Sequence, residues 1–155
     1  MPAASDPLAP PVTFRPLGVR VATYVFGGLM ILVAAVVWFS FSAEVRGQFT
    51  LFQRGTLLAF GIGAVVAGHA LARSRVVAND GSLTVVNGFR SRRYDWSEVV
   101  RVSLRQGSPW ATLDLSDGTS VAAMGIQGSD GTRAIRQVRE LRALVDAHTR
   151  TERDD

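Results

Sequence analysis

The sequence contains no cysteine and no lysine, and it has only two histidines, His69 and His148. The absence of cysteine excludes disulfides, thiolate nucleophiles and metal sites with cysteine ligands. Two isolated histidines are too few for a histidine-ligated site, so we expect neither a metal nor a cofactor. Charge is also scarce, since 19% of the 155 residues are charged and 47% are hydrophobic. The chain is therefore more apolar than one soluble domain of this length requires.

The hydrophobic residues are concentrated in two runs. Residues 21–43 contain no charged side chain, and as a helix they span about 34 Å, enough to cross a bilayer. Residues 55–72, between Arg54 and Arg73, span about 27 Å. We predict a two-helix transmembrane hairpin over residues 15–74, with helices at about 20–43 and 55–72. A cleaved signal peptide is the alternative for the first run, although signal peptides have shorter apolar cores of about 7–15 residues.

Small residues recur along the second run. Four of them have small-xxx-small spacings, which let helices approach closely in lipid: Ala59, Gly63, Ala64 and Gly68. We predict that this face packs against Gly27 and Gly28 of the first helix, and a homodimer is the alternative. His69 lies in the same run. An interfacial imidazole is the preferred interpretation, and a proton path in a minor subunit of a membrane transporter is the alternative.

Arginines predict the orientation of the hairpin. The flanks hold Arg15, Arg20, Arg73, Arg75, Arg90, Arg92 and Arg93, whereas the connecting loop holds Arg46 and Arg54. Basic residues favour the cytoplasmic side, so we expect a multi-pass protein of the bacterial cell membrane with both termini in the cytoplasm. Residues 1–14 are rich in proline and alanine and predict a disordered tail. Residues 150–155 predict a polar tail.

Residues 75–149 have the pattern of a small antiparallel β domain. Tight hairpin turns are indicated at Asn79-Asp80-Gly81, Asn87-Gly88 and Asp117-Gly118, where positive φ is tolerated. Short runs of β-branched and alternating apolar residues between the turns predict six strands, at 75–78, 83–86, 90–95, 99–105, 111–115 and 120–123. A last helix, capped by Ser129 or Asp130, carries an apolar stripe of Ile135, Val138, Leu141, Leu144 and Val145. We expect this helix to cover the sheet.

Residues 15–148 resemble a bacterial family, the pleckstrin-homology-like (PH-like) domains, in which a basic strand commonly runs into a W-S-[DE]-[IV] turn. The matching segment is Arg90-Ser91-Arg92-Arg93-Tyr94-Asp95-Trp96-Ser97-Glu98-Val99, with Asn87-Gly88 before it and Pro109-Trp110, Asp117-Gly118 and residues 125–131 after it. Two membrane helices ahead of such a domain resemble, more narrowly, the small membrane proteins grouped with low molecular weight protein antigen 6. The resemblance implies an α+β chain: a membrane α-helical hairpin plus a small antiparallel β PH-like domain with a C-terminal amphipathic helix. It implies no established activity. Six strands are one fewer than in a full PH barrel.

Charge is unevenly distributed within the β domain. Residues 73–105 contain seven arginines and three acidic residues, whereas residues 106–155 contain six arginines and eight acidic residues. Five arginines of the first group are candidate contacts to an anionic lipid surface: Arg73, Arg75, Arg90, Arg92 and Arg93. An anionic leaflet attracts each such residue by about 1 kcal/mol. A solvated strand face is the alternative interpretation of the same pattern.

The sequence shows no catalytic pattern. It has no nucleophile elbow, no carboxylate pair at a meaningful spacing and no interleaved aromatic residues for nucleic-acid stacking. We therefore expect neither an enzyme nor a nucleic-acid-binding protein. Our hypothesis is a membrane-anchored interaction module that docks a protein partner or helps assemble a membrane complex. A surface with Ser103, Arg105 and Trp110, or an exposed sheet edge, is the expected docking site. Anionic-lipid binding through the basic strand is the alternative.

Overall fold

The computed structural model describes residues 11–151 of the chain. Four helices, seven strands and two 3₁₀ turns follow one another in this part. They are β1 (Val12–Phe14), α1 (Gly18–Ser40), α2 (Ala43–Gln48), α3 (Leu51–Arg73), β2 (Arg75–Ala78), β3 (Ser82–Asn87), β4 (Arg90–Asp95), a 3₁₀ turn (Trp96–Glu98), β5 (Val99–Ser103), β6 (Trp110–Leu115), β7 (Ser120–Gln127), a second 3₁₀ turn (Gly128–Asp130) and α4 (Thr132–Thr151). The predicted fold class, two apolar helices and an antiparallel β domain with a C-terminal helix, is confirmed.

The helices α1 and α3 are both candidate membrane spans by length and composition. Each has 23 residues and is therefore about 34 Å long. The segment between them is not the plain loop that we predicted, because it contains α2, which is capped by the Ser42 hydroxyl. The helix α3 also begins earlier than predicted, since Thr50 and Gln53 form a reciprocal capping box at its start.

The two long helices approach each other closely at one point. A Cβ atom on Gly68 would lie 2.9 Å from the Thr23 methyl group, so a larger residue there would displace the Thr23 side chain. The rest of the predicted packing surface differs, because Gly63 lies about 140° around the helix from Gly68 and a Cβ there would meet open space. Ala59 and Ala64 are exposed. A Cβ on Gly27 or Gly28 would also meet no atom within 4 Å.

The structure has a strand in the segment that we predicted to be a disordered tail. β1 pairs antiparallel with β2, with Thr13 opposite Val77. Phe14 is buried in the hydrophobic core. The predicted tail boundary at residue 14 is therefore wrong for residues 12–14, and residues 1–10 lie outside the described residues. β1 is also the seventh strand that the sequence pattern lacked.

The helical hairpin is consequently an insertion within the β domain, between β1 and β2. Because these strands are antiparallel, the end of β1 and the start of β2 lie at the same end of the sheet. Only residues 15–17 separate β1 from α1, and only Ser74 separates α3 from β2. We call this end of the β domain, where the chain passes through residues 15–17 and Ser74, the helix-proximal end.

The strands form two sheets, one in the order β1-β2-β3-β4 and the other in the order β5-β6-β7. β7 joins them, because it crosses the helix-proximal ends of β3 and β2 in turn. The Asn87 side chain donates a hydrogen bond to the Ala122 carbonyl and accepts one from the Met124 amide. Further along β7, the backbone at Gly125 passes so close to Arg75 and Val76 that a side chain would not fit.

The core lies between the two sheets and α4. Val138, Leu141 and Val145 of α4 are buried against it, as the periodicity predicted. Ile135 was assigned to the same stripe, but it is 54% exposed because Ala134 occupies the inward position of that turn. Trp96 is buried, its indole N–H donates to the Asn79 and Asp80 carbonyls, and His148 stacks on its ring at 4.4 Å.

The turn glycines carry the positive φ angles alone. Gly88 has φ +60° and Gly118 has φ +83°, whereas no described residue other than glycine has a positive φ. The loop between β3 and β4 consists of Gly88 and Phe89. Its positive φ is at the first of these two positions, as in a type II′ hairpin. A type I′ turn at an Asn-Gly or Asp-Gly pair would have required positive φ at the asparagine or aspartate as well.

Gly125 tests the crossing of β7 over β2. A Cβ atom at this position would lie 2.5 Å from the Val76 amide nitrogen, so Gly125→Ala forces two backbones apart. Overpacking of this kind costs about 1–3 kcal/mol. We expect the melting temperature of the full chain in detergent micelles to fall by about 5 °C or more. Gly81→Ala is the matched control, since its Cβ would meet no atom within 4 Å. Equal losses in the two variants would contradict the crossing.

Candidate functional site

The helix-proximal end of the β domain is attached to the helices by contacts on both sides. On the α1 side, the Asp130 carboxylate accepts hydrogen bonds from the backbone amides of Leu17 and Gly18, each at 2.8 Å. These amides belong to the first turn of α1, where N–H groups lack helical partners and a negative charge is favourable. We expected Asp130 or Ser129 to cap α4, but the structure shows that Asp130 caps α1 instead.

On the α3 side, the β3–β4 hairpin contacts the last turn of the helix. The Gly88 amide donates a hydrogen bond to the Ser74 hydroxyl at 3.0 Å, and that hydroxyl donates to the Ala70 carbonyl. A Cβ atom on Gly88 would touch the Ala70 methyl group at 3.5 Å. The tip of the β3–β4 hairpin is thus held beside the last turn of α3, where the apolar segment of that helix ends.

The residue at this tip, Phe89, is 60% exposed. The Arg73 guanidinium lies over its ring, 5.3 Å from the ring centroid, which is a cation–π arrangement. Sequence reasoning did not identify Phe89. The available signal was a large aromatic residue directly after Asn87-Gly88, in a two-residue turn where a polar residue is usual.

The five arginines that we predicted to form one lipid-facing surface are divided by the strand register. Arg92 lies opposite Val85 and shares a sheet face with Arg90 and with the buried Tyr94. Arg93, one position further, lies on the opposite face, and the pairing places Arg75 on that face as well. Arg73 is at the end of α3. The structure therefore brings Arg73 and Arg90 to the β3–β4 tip, where Arg73 contacts Phe89 and Arg90 follows it in the chain, and separates Arg75 and Arg93 from Arg90 and Arg92.

A second surface lies between β5 and α4. β5 is an edge strand of its sheet, and with α4 it lines a cleft of about 250 Å³. Val100, at a shift in the β5–β6 register, is 64% exposed in this cleft. The other lining residues are Arg101, Val102, Arg142, Val145 and Asp146. Arg142 donates from Nε to the Val102 carbonyl at 2.7 Å, so one outward-facing backbone group of the edge strand is already capped.

The residues that we proposed for docking lie next to this cleft and not in it. Ser103 and Trp110 are half-buried on the outer face of the second sheet, because Ser103 pairs with Thr112 and Trp110 is two positions before it. Arg105 is exposed beyond the end of β5. The hypothesis named no particular sheet edge; β5, which contains Ser103, is one of the edge strands.

Groups that could support chemistry are sparse in the part of the chain that the structure describes. Residues 11–151 contain no cluster of three metal-ligating side chains. His69 is exposed on α3, one turn before Arg73. Asp117 accepts hydrogen bonds from the Thr119 hydroxyl and amide, and these bonds lower the pKa of its carboxyl group. The same bonds stabilise a turn, and no second titratable group takes part in them.

Two sheets of four and three strands, closed by a C-terminal helix, are the architecture of a PH domain, here with a helical hairpin inserted after the first strand. A family model described as "Bacterial PH domain" matches residues 73–144. Uncharacterized proteins of Mycobacterium bovis and of two Mycobacterium tuberculosis strains are each 36% identical over 105 residues, 66% of this chain and 68% of theirs. No solved structure matches the chain. The chain belongs to the bacterial PH domain family, which confirms the resemblance seen in its sequence.

Asp130 tests the attachment of the domain to α1. In Asp130→Asn the amide oxygen can accept, but the amide nitrogen meets a second N–H donor, so one charge-assisted hydrogen bond is lost. We expect the Leu17 and Gly18 amides to exchange with solvent about tenfold faster in NMR hydrogen exchange of the full chain. Asp117→Asn removes a carboxylate from a distant turn and serves as the control. If both variants leave these two amides unchanged, Asp130 does not cap α1.

Proposed function

We propose that this chain is a membrane-anchored, non-catalytic PH module that docks a partner protein at the β5–α4 cleft. The hairpin of α1 and α3 crosses the membrane, and both termini lie in the cytoplasm. The observation that carries the proposal is the insertion of the helical hairpin, α1 and α3, between β1 and β2. Because the helices leave the domain between β1 and β2 through short connections, they hold it in one orientation at the bilayer surface.

In the proposed orientation the β5–α4 cleft faces away from the lipid. The helix α4 begins next to Asp130 at the helix-proximal end, and the lining residues Arg142 and Asp146 come 10 and 14 positions after Thr132. They are therefore about 15–21 Å further along α4. Under the proposed anchoring, this separation from the helix-proximal end leaves the cleft accessible to a protein segment in the cytoplasm.

The chemistry of the cleft suits an extended acidic segment. β5 is an edge strand, and apart from the Val102 carbonyl, which Arg142 occupies, its free edge lets a peptide strand add by backbone hydrogen bonds. Val100, Val102 and Val145 give the cleft an apolar floor. Arg101 and Arg142 outnumber Asp146, so the lining has a net positive charge that favours a carboxylate side chain on the partner.

A photoreactive amino acid tests this site in cells. Placed at Val100, it should give one specific adduct, and Arg101→Glu should lower the yield because it repels an acidic partner. The matched control is the same substitution at Ile135, which is also apolar and exposed but lies outside the cleft. Identical adducts from both positions, or a yield at Val100 that Arg101→Glu does not change, would contradict docking at the cleft.

The structure gives less support to the other two hypotheses, lipid binding by the basic strand and a role as a minor transporter subunit. Lipid binding by the whole basic strand requires arginines on one surface, and the register divides them between two faces. The transporter-subunit hypothesis relied on His69 and on the small-residue face. His69 is exposed near the end of α3, which is a suitable position for an interfacial side chain.

A further inference from the structure

Two arginine–aromatic pairs lie at opposite ends of α3. Near its start, the Arg54 guanidinium is 6.0 Å from the Trp38 ring, which belongs to the last turn of α1. At its end, the Arg73 guanidinium is 5.3 Å from the Phe89 ring, which belongs to the β domain. Arg54 and Arg73 are nineteen positions apart on one continuous helix. Their separation along the axis is therefore about 28 Å, close to the roughly 30 Å of a hydrocarbon core.

The first pair has the composition of a membrane interface. Trp38 packs edge-to-face on Phe49 at 5.4 Å, and Phe41 stacks on the same ring at 6.2 Å. Tryptophan is enriched at the headgroup level of a bilayer because its ring is amphipathic, so Trp38 is the residue of this cluster that indicates an interface. If this cluster marks one interface, the length of α3 places Phe89 at the other.

We infer that the β3–β4 tip is a membrane-contact site, in which Phe89 enters the headgroup boundary of an anionic leaflet and Arg73 and Arg90 contact its phosphates. The inference rests on the proposed membrane crossing of α1 and α3. It deepens that proposal, because the β domain itself supplies part of the interfacial belt. The tip thereby adds a third attachment point to the two chain connections and limits the tilt of the domain.

Local structure supports this role for the tip. Phe89 is exposed, while the rest of the hairpin end is fixed by the Gly88–Ser74 hydrogen bond and by contact with Ala70. A rigid exposed aromatic residue beside the end of an apolar helix loses little conformational freedom on entering lipid. Arg90 is exposed at the first position of β4, next to Phe89.

The absence of cysteine allows a direct test with single labels. Ile62, Phe89 and Val100 are apolar and similarly exposed, at 64%, 60% and 64%, and they lie in the helix, at the tip and in the cleft. Each is replaced by cysteine in the full chain, labelled with a fluorophore and reconstituted into phosphatidylcholine vesicles containing phosphatidylglycerol. A lipid-borne quencher then reports contact with the bilayer. We expect strong quenching at Ile62 and Phe89 and little at Val100.

The three probes separate the possible failures. A quenched Ile62 label with a Phe89 label that stays as solvent-exposed as Val100 would overturn this inference and leave the membrane anchor intact. A Phe89 label shielded from water but not quenched by lipid would also overturn it, because a protein would then cover the tip. An unquenched Ile62 label would overturn the anchor and the inference together.

The arginines have their own matched comparison. In the Phe89-labelled chain, Arg73→Gln with Arg90→Gln should reduce quenching in vesicles containing phosphatidylglycerol toward the Val100 level. Arg75→Gln with Arg93→Gln removes the same charge from the opposite sheet face and should leave quenching unchanged. Equal effects of the two double variants would show general attraction to the surface and would overturn the assignment of Arg73 and Arg90.

Discussion

The antiparallel pairing of β1 with β2 is the constraint on which the rest of the structure depends. Three residues, Val12–Phe14, bring the start of α1 and the end of α3 to one end of a sheet, although more than sixty positions separate the paired strands. Without this pairing the β domain would follow the helices as a separate unit on one connection. With it, the helical hairpin leaves the β domain at two neighbouring points, and the domain cannot rotate freely about either.

The contacts at the helix-proximal end all reinforce this arrangement. Asp130 caps the first turn of α1, and Ser74 links α3 to the β3–β4 tip. The close approach of Gly125 to the β2 backbone joins the second sheet to the first. The same end carries the exposed Phe89 and Arg73, whereas the β5–α4 cleft lies further along α4. The proposed membrane contact therefore lies at the helix-proximal end, and the proposed docking cleft lies apart from it.

The sequence predicted most of the fold, because apolar length, turn residues and helical periodicity are local signals. It predicted α1, α3, six strands and α4, with ends that differ by a few residues. It did not predict β1, since three residues show no alternation and the partner strand is distant. Asp130 was assigned to the nearest helix, because its true partners lie 112 and 113 positions away. The arginines were grouped by proximity in sequence, although the period of two in a strand already separates Arg92 from Arg93.

A cross-strand disulfide between β1 and β2 tests the central claim most directly. The chain has no cysteine of its own, so Thr13→Cys with Val77→Cys gives a single possible intrachain bond between opposed positions. We predict that the full chain in membranes forms this disulfide on mild oxidation, as measured by thiol labelling and mass spectrometry. Thr13→Cys with Ser97→Cys, which the fold does not pair, should remain reduced. Equal reactivity of both pairs, or none with Val77→Cys, would contradict the insertion of the hairpin between β1 and β2.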